Sequence, residues 1–250
     1  LEVVGDVNSD QQWAFFAPHE NEFVANAYVA KKVTEKGGVF VVLRQAGERL
    51  IQLKINQLTV QVDPNRIFTD RGIIASIKKN NASLDPQSDT FTAACERAKQ
   101  LSQFILAALG RESKSSTWVA MHNNTNGYDD DGKNGIGNVS IIRYQQKLSA
   151  GAQYLIDVAV GEQDEDDLFF VTSRDDFEAM KINGWNAVLQ NPNVANDAEE
   201  DDGSLSVYAA MKGLRYINVE AERISDGFGE DHLQVQQQMV DFTFSLPFLH

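Results

Sequence analysis

The 250-residue chain contains a single cysteine, Cys95. One thiol excludes an intramolecular disulfide framework, and it also excludes zinc sites that are built from several cysteines. Cys95 falls on the apolar stripe of a predicted helix. We therefore expect it to be a small core residue rather than a nucleophile, because apolar burial raises the pKa of a thiol.

Basic residues are scarce as well, with 22 Lys and Arg against 36 Asp and Glu and a formal net charge of -14. Because nucleic-acid phosphates demand clustered Lys and Arg, we expect no nucleic-acid partner. Long hydrophobic runs are also lacking. No stretch approaches the ~20 apolar residues that span a bilayer, so we expect no membrane partner. These features leave open the oligomeric state and the compartment, whether cytoplasmic, periplasmic or secreted.

Short apolar runs of strand length alternate along the chain with segments of helical periodicity. Patterns typical of buried strands occur at 13–17, 39–43, 117–121, 168–172, 186–190 and 214–220, and helical patterns at 23–36, 70–79, 91–109, 175–183, 204–212 and 231–244. Residues 49–62 favour two strands with a turn at Asn56-Gln57. The alternation shows no repeat or linker and predicts an α/β fold with one domain over residues 1–250.

Two of the four histidines stand where predicted strands end. His19 follows the first apolar run and precedes Glu22 by one helical turn, and His122 follows the run at 117–121, whereas His232 and His250 lie in polar surroundings. Sites in open α/β sheets gather outside the carboxyl ends of strands. Two histidines and one glutamate form a ligand set that Zn²⁺ accepts in hydrolases. The alternative is that these histidines are packing residues, as a lone strand-end histidine usually is.

A zinc hydrolase also needs a base for the attacking water and a donor for the developing oxyanion. Glu220 ends an apolar strand, where a carboxylate without a partner would be costly, so a functional role is the more economical interpretation. Glu222, on the same face of that strand, is the competing candidate for the base. Arg66 follows a predicted strand and offers a planar fork that suits carboxylates.

Four ordered sequence pieces resemble the zinc carboxypeptidases together with the related succinylglutamate desuccinylase and aspartoacylase group. These pieces are His19-x-x-Glu22, Asp63-Pro64-Asn65-Arg66-Ile67-Phe68, Met121-His122-Asn123-Asn124, and Gly203-Ser204-Leu205 followed by Tyr216-Ile217-Asn218-Val219-Glu220. The second piece resembles the Asp-x-Asn-Arg-x-Phe motif of the family, which is specific. The resemblance implies a single α/β/α domain of three layers around a central mixed, mostly parallel sheet.

The same resemblance implies one Zn²⁺ per chain, with His19, Glu22 and His122 as its ligands and Glu220 as the general base. The implied function is hydrolysis of an amide bond adjacent to a free carboxylate, as at a peptide C-terminus. An N-acyl amino acid deacylase of the desuccinylase and aspartoacylase type is the alternative within the enzyme class. A catalytically silent binding protein with the same fold is the alternative outside it.

Asn65 and Arg66 would hold the substrate carboxylate, and Arg66 could also lie near the scissile carbonyl. Family members often carry another arginine upstream that polarises this carbonyl, and Arg49 is the candidate here, with Arg44 and Arg71 in competition. Tyr208, in the helical segment before the strand of the base, is a candidate for substrate contact, and a core tyrosine is the alternative.

Two acidic runs, 162–167 and 197–202, fall in predicted connecting loops, and we expect both to be solvated. A third acidic stretch, Asp129-Asp130-Asp131, lies in a polar, glycine-rich loop. It resembles a calcium-binding loop only in part, because Lys133 stands where such a loop needs an oxygen ligand. A solvated turn is therefore favoured over a Ca²⁺ site.

Overall fold

A computed structural model describes residues 1–6, 13–110, 112, 116–127, 137, 139–224 and 230–247, and these form an α/β fold with a large mixed sheet. The strands are β1 (Glu2–Gly5), β2 (Trp13–Ala17), β3 (Val39–Val42), β4 (Ile51–Ile55), β5 (Leu58–Val62), β6 (Thr117–Thr125), β7 (Leu155–Ala159), β8 (Leu168–Val171), β9 (Ala187–Gln190) and β10 (Arg215–Arg223). The helices are α1 (Asn26–Lys36), α2 (Asp70–Asn80), α3 (Asp89–Leu109), α4 (Ile141–Ser149), α5 (Arg174–Ile182), α6 (Leu205–Lys212) and α7 (Leu233–Ser245).

The large sheet has the strand order β1-β3-β2-β6-β10-β8-β9-β7, and β4 and β5 form a separate hairpin. The central strands β2, β6 and β10 run parallel to one another, whereas β8 pairs with β10 in the antiparallel direction. Parallel neighbours bring their carboxyl ends to the same edge of a sheet. The side chains that follow β2 therefore lie beside those at the ends of β6 and β10.

Alternate residues of β2 belong to two different core clusters. Phe16 packs in a cluster that contains Ile77 of α2 and Ala98 of α3, whereas Phe15 packs in a cluster that contains Val29 of α1. All five residues of β2 are consequently buried, which explains why the strand is a continuous apolar run. Burying each phenylalanine contributes about 1.5 to 3 kcal/mol, so these clusters fix the sheet edge that carries the site.

The predicted strands and helices are confirmed, with small shifts at their ends. The turn at Asn56-Gln57 is confirmed too, since both residues have positive φ angles, 47° and 69°. Cys95 is half-buried beside the core cluster of α3, and burial raises the pKa of its thiol. None of the described helices combines the length and hydropathy that a bilayer span requires. The assignment of residues 1–250 to one domain stays a prediction.

Candidate metal centre and active site

Three neighbouring parallel strands position the predicted site residues. The chain leaves β2 and turns at once, with the Glu22 amide donating to the His19 carbonyl at 3.1 Å, so both side chains stand at the end of that strand. On β6 and β10, His122 and Glu220 face each other directly in the strand register. Adjacent strands lie about 4.7 to 4.9 Å apart, and residues that are distant in sequence therefore meet at one edge.

His19, Glu22 and His122 converge into a group that could hold a metal ion, with one ligand atom from each residue lying within 4.8 Å of the others. The Nδ1 atom of His19 lies 3.0 Å from Oε1 of Glu22, and Nδ1 of His122 lies 2.8 Å from Oε2 of the same carboxylate. All three side chains are buried. Two imidazole nitrogens and a carboxylate thus point at one small region.

The donor set of this group fits a metal ion. Although it is close to Glu22, the buried Nδ1 atom of His19 makes no hydrogen bond of acceptable geometry with the described residues. Burial opposes protonation of His19, but the charge of Glu22 and the hydrogen bond to Asp63 outweigh it and raise the pKa of His19. Burial likewise opposes ionisation of Glu22, and the two histidines outweigh it and hold its pKa well below the ordinary value. The group therefore favours positive charge at its centre.

Asp63 orients His19 from behind, and the sequence analysis gave it no separate role. Its Oδ1 atom lies 2.9 Å from Nε2 of His19 and also accepts a hydrogen bond from the Asn65 amide at 2.9 Å. The backbone amide of Asp63 donates to Oγ of Ser76, also at 2.9 Å. Histidines that bind metals commonly donate their other ring nitrogen to a carboxylate in this way. In the sequence, Asp63 is recognisable as the first residue of the Asp-x-Asn-Arg motif.

Of the three arginines considered for polarising the carbonyl, the structure brings Arg49 to the site. Its Nη1 atom donates to Oε1 of Glu22, and its Nη2 atom lies 3.8 Å from Oδ2 of Asp63. Arg44 instead pairs with a surface glutamate at the sheet edge, and Arg71 is exposed on α2. Arg49 is half-exposed, so its guanidinium can face both the buried carboxylates and the open pocket.

Glu220 lies across from this group at a pocket wall, and its Oε1 atom accepts a hydrogen bond from Asn218 Nδ2 at 3.0 Å. Burial raises the pKa of Glu220, and the nearby Glu22 carboxylate raises it further. Glu222 lies elsewhere: it is fully buried, and its Oε1 atom accepts from Asn126 Nδ2 at 2.8 Å. Of the two candidates for the base, Glu220 is therefore the one that reaches the pocket.

Asn65 and Arg66 stand where two adjoining pockets of about 360 and 380 Å³ meet, and Glu220 lines both pockets as well. Asn65 Nδ2 lies 3.4 Å from Nε2 of His122, while its buried Oδ1 atom accepts no hydrogen bond. Arg66 donates from Nη1 to Oδ2 of Asp202 at 2.6 Å. The predicted carboxylate clamp thus lies next to both the metal group and the second pocket.

The second pocket is lined by residues that the sequence pattern did not predict as site residues. Its aromatic and charged lining includes Tyr144, Lys147, Tyr154, Phe170, Glu199, Glu200 and Tyr216. Tyr144 and Lys147 lie on α4, a helix that the sequence pattern did not predict. No periodic signal distinguishes these residues from an ordinary amphipathic surface, so only the tertiary arrangement reveals them.

Tyr208 does not line either pocket, in contrast to the prediction of a substrate contact. Its hydroxyl donates to Oε1 of Glu112 at 2.6 Å, and its ring stacks on Trp118 with an interplanar angle of 3°. The structure therefore supports the alternative of a packing tyrosine.

The solvated state expected for the acidic run 162–167 is wrong for its second half. Glu165, Asp166 and Asp167 are buried, with Asp166 fully inaccessible. The run 197–202 is mostly exposed, although its last residue pairs with an arginine at the pocket. The third acidic stretch, 129–131, and with it the calcium loop considered there, lies outside the described residues.

Comparisons with protein-family models, with curated proteins and with solved structures found no match for this chain. A functional assignment therefore depends on the geometry of the site and on the motifs that compose it.

Proposed function

We propose that this protein is a zinc-dependent amide hydrolase of the metallocarboxypeptidase type, which cleaves an amide bond next to a free carboxylate. One observation carries the proposal. His19, Glu22 and His122 converge into a buried metal-binding group, while Glu220 and the Asn65-Arg66 pair line the pocket beside it. The sequence pieces that resemble the family are distant from one another along the chain, and the fold brings all of them to one sheet edge.

Zinc is the metal that the donor set favours. Two imidazole nitrogens and one carboxylate are a borderline-soft set, and three protein ligands leave the open position that catalytic zinc sites retain. When bound, zinc supplies Lewis-acid chemistry, in that it polarises a carbonyl oxygen and makes water more acidic. Asp63 holds the ring of His19 in place for this role through its 2.9 Å contact.

Glu220 is the group that we propose to move the proton. Its carboxylate would accept a proton from the attacking water and return that proton to the nitrogen of the leaving amine. The raised pKa of Glu220 suits the first half of this task, because a more basic carboxylate accepts the proton more readily. The side-chain amide of Asn218 donates to one carboxylate oxygen of Glu220 at 3.0 Å, and this hydrogen bond orients the carboxylate.

Asn65 and Arg66 are proposed to bind the carboxylate of the substrate. The guanidinium of Arg66 has five N–H donors, and the described hydrogen bond to Asp202 uses one of them, on Nη1. The other donors would serve the substrate carboxylate. Arg49, which donates to Glu22 and lines the same pocket, is proposed to donate to the scissile carbonyl oxygen. The aromatic pocket next to the clamp would then receive the group that adjoins the substrate carboxylate.

We also propose the three-layer α/β/α arrangement of the family for this fold. In support, the core cluster of α2, α3 and α6 takes one set of alternate β2 residues, and the cluster of α1, α5 and α7 takes the other set. A sheet whose two faces are each covered by helices places its open edge at the strand ends, where the proposed site lies.

The test of the proposed mechanism is the Glu220→Gln variant. It should bind zinc as the wild-type chain does and lose hydrolysis by about 10²- to 10⁴-fold, since the amide cannot accept the proton. Peptides with a free C-terminal carboxylate, the same peptides with a C-terminal amide, and N-acyl amino acids serve as substrates. Glu178→Gln, on the exposed face of α5, is the matched control and should keep full activity.

Full activity in Glu220→Gln would remove Glu220 from the mechanism. Cleavage of amidated peptides at the rate of free ones would remove the carboxylate clamp. Cleavage of N-acyl amino acids alone would assign the deacylase activity. Zinc binding without hydrolysis of any of these substrates by the wild-type chain would support the silent binding protein.

A further inference from the structure

A second group of carboxylates is buried away from the proposed zinc site. The chain carries four consecutive acidic residues, 164–167, in the loop between β7 and β8, and the last three of them are buried. Acidic residues are almost never fully buried unless a partner compensates their charge. The burial of these carboxylates therefore needs an explanation, because the sequence of the loop shows only a run of acidic residues.

Hydrogen bonds account for the burial of Glu165 and Asp167. Glu165 Oε2 accepts a hydrogen bond from Ser140 Oγ at 2.8 Å. Asp167 Oδ1 accepts from the Glu222 amide at 3.0 Å, and its Oδ2 atom lies 2.8 Å from Nδ1 of His232. The hydrogen bond that His232 donates to Asp167 raises the pKa of His232 to about 9, so His232 is the cation that compensates Asp167.

Asp166 pairs with no cation among the described residues. It is fully buried, its Oδ2 atom accepts from the Gly127 amide at 2.6 Å, and its Oδ1 atom accepts no hydrogen bond from the part of the chain that the structure describes. Asp166 belongs to a group with Asp164 and Glu222 in which one carboxylate oxygen of each residue lies within 4.8 Å of the others. Glu222 is also buried, and its Oε2 atom lies 3.6 Å from Nε2 of His232. Three carboxylates thus lie close together, and one of their buried oxygens, Oδ1 of Asp166, has no donor among the described residues.

We propose that Asp164, Asp166 and Glu222 form a calcium-binding site. The three ligands offer only carboxylate oxygens, and Ca²⁺ is the hard cation that takes six to eight oxygen ligands from flexible protein cages. Mg²⁺ keeps several waters and usually takes only one or two carboxylates, and zinc favours nitrogen and sulfur donors. The oxygen-only set therefore differs in its preferred metal from the site that contains the two histidines.

A further buried oxygen agrees with this assignment. The Oδ1 atom of Asn124 accepts no hydrogen bond from the described residues, and the side-chain amide of Asn124 donates to the Asp166 carbonyl at 2.7 Å. Asn124 lies directly opposite Glu222 in the register of β6 and β10.

A cation at this position would connect separate elements near the proposed active site. Asp164 and Asp166 belong to the loop before β8, whereas Glu222 belongs to β10, two residues beyond Glu220. The Gly127 amide ties the same loop to the end of β6, the strand that carries His122. Calcium would therefore stiffen the strand ends that position the base and one proposed metal ligand.

Calorimetric titration of the chelator-treated full chain with CaCl₂ tests the proposal, with MgCl₂ titrated separately. We expect one calcium ion per chain, a rise in Tm on addition of calcium, and at least 10-fold weaker binding of Mg²⁺. Asp166→Asn should lose calcium affinity at least 10-fold and lose the rise in Tm. Glu162→Gln, an exposed member of the same acidic run, should bind calcium as the wild-type chain does.

Two further variants complete the test. Asp164→Asn, at a half-buried position, should weaken calcium binding at least 10-fold and serves if Asp166→Asn does not fold. His19→Ala should retain calcium binding, because its side chain belongs to the other group. The proposal is overturned if the wild-type chain binds no calcium. It is equally overturned if His19→Ala abolishes calcium binding or if the variants of Asp164 and Asp166 leave it unchanged.

Discussion

Replacement of Asp63 by Asn would change the charge behind His19 with little change in shape. Asn65 donates its amide to Oδ1 of Asp63, and asparagine caps such a turn as well as aspartate does, so the local fold should persist. What is lost is the negative charge that lies 2.9 Å from Nε2 of His19. That charge makes the ring a stronger ligand through its other nitrogen.

The expected effect is a loss of zinc affinity of about 10- to 100-fold, which corresponds to about 1.4 to 2.7 kcal/mol. A competition titration against a zinc-binding dye measures it directly. The hydrogen bond that His19 donates to Asp63 also raises the pKa of His19, so Asp63→Asn lowers that pKa and reduces competition by protons. The loss should therefore be larger at pH 8.5 than at pH 6.

Asp70→Asn is the matched control, because Asp70 is an exposed carboxylate that pairs with Lys99 on the surface. Its zinc affinity should equal that of the wild-type chain. If Asp63→Asn binds zinc as tightly as Asp70→Asn at both pH values, then Asp63 does not support a metal ligand and the assignment of His19 loses its structural basis.

Three further predictions concern the stability of the fold. Asp176→Ala should lower the free energy of unfolding in urea by about 3 to 5 kcal/mol, because it leaves Arg215 buried without its 2.8 Å partner; a loss below about 1 kcal/mol would contradict this. Since the pKa of His232 is raised to about 9, its contact with Asp167 stabilises the protein fully below pH 6.5 and progressively less as pH rises through 9. His232→Gln should reduce the pH-dependent part of the free energy of unfolding in urea by about 1 to 3 kcal/mol, a range that allows for solvent screening. An unchanged pH profile would refute the pairing. Gly203→Ala should lower Tm measurably, because φ is 76° there and a Cβ would lie 2.4 Å from a backbone atom of α2; an unchanged Tm would argue against this close approach.

The position of the metal group could be predicted because it follows from strand polarity. The residues that immediately precede His19 and His122 are dominated by apolar runs, and such runs indicate central strands covered on both faces. Parallel pairing then places their carboxyl ends together without further information. The register between β6 and β10 sets His122 directly opposite Glu220, a detail that the runs alone do not specify.

The contacts that depend on tertiary partners could not be predicted. Tyr208 stands on a short helix whose periodicity fits a pocket residue and a core residue equally well, and Trp118, distant in sequence, decides between them. The acidic run 162–167 has the composition of a solvated loop. Its burial depends on the amide of Gly127 and on His232, and neither partner is visible in the pattern of the run itself.

The zinc content of the saturated chain, measured beside those of His19→Ala and His122→Ala, tests the central proposal most directly. The two histidines and Glu22 offer one converging set of ligand atoms within 4.8 Å, so the account predicts one zinc ion per wild-type chain. Each variant lacks one of three protein ligands and should retain none at the same free zinc concentration. A wild-type chain that binds no zinc, or variants that still bind one ion per chain, would contradict the account.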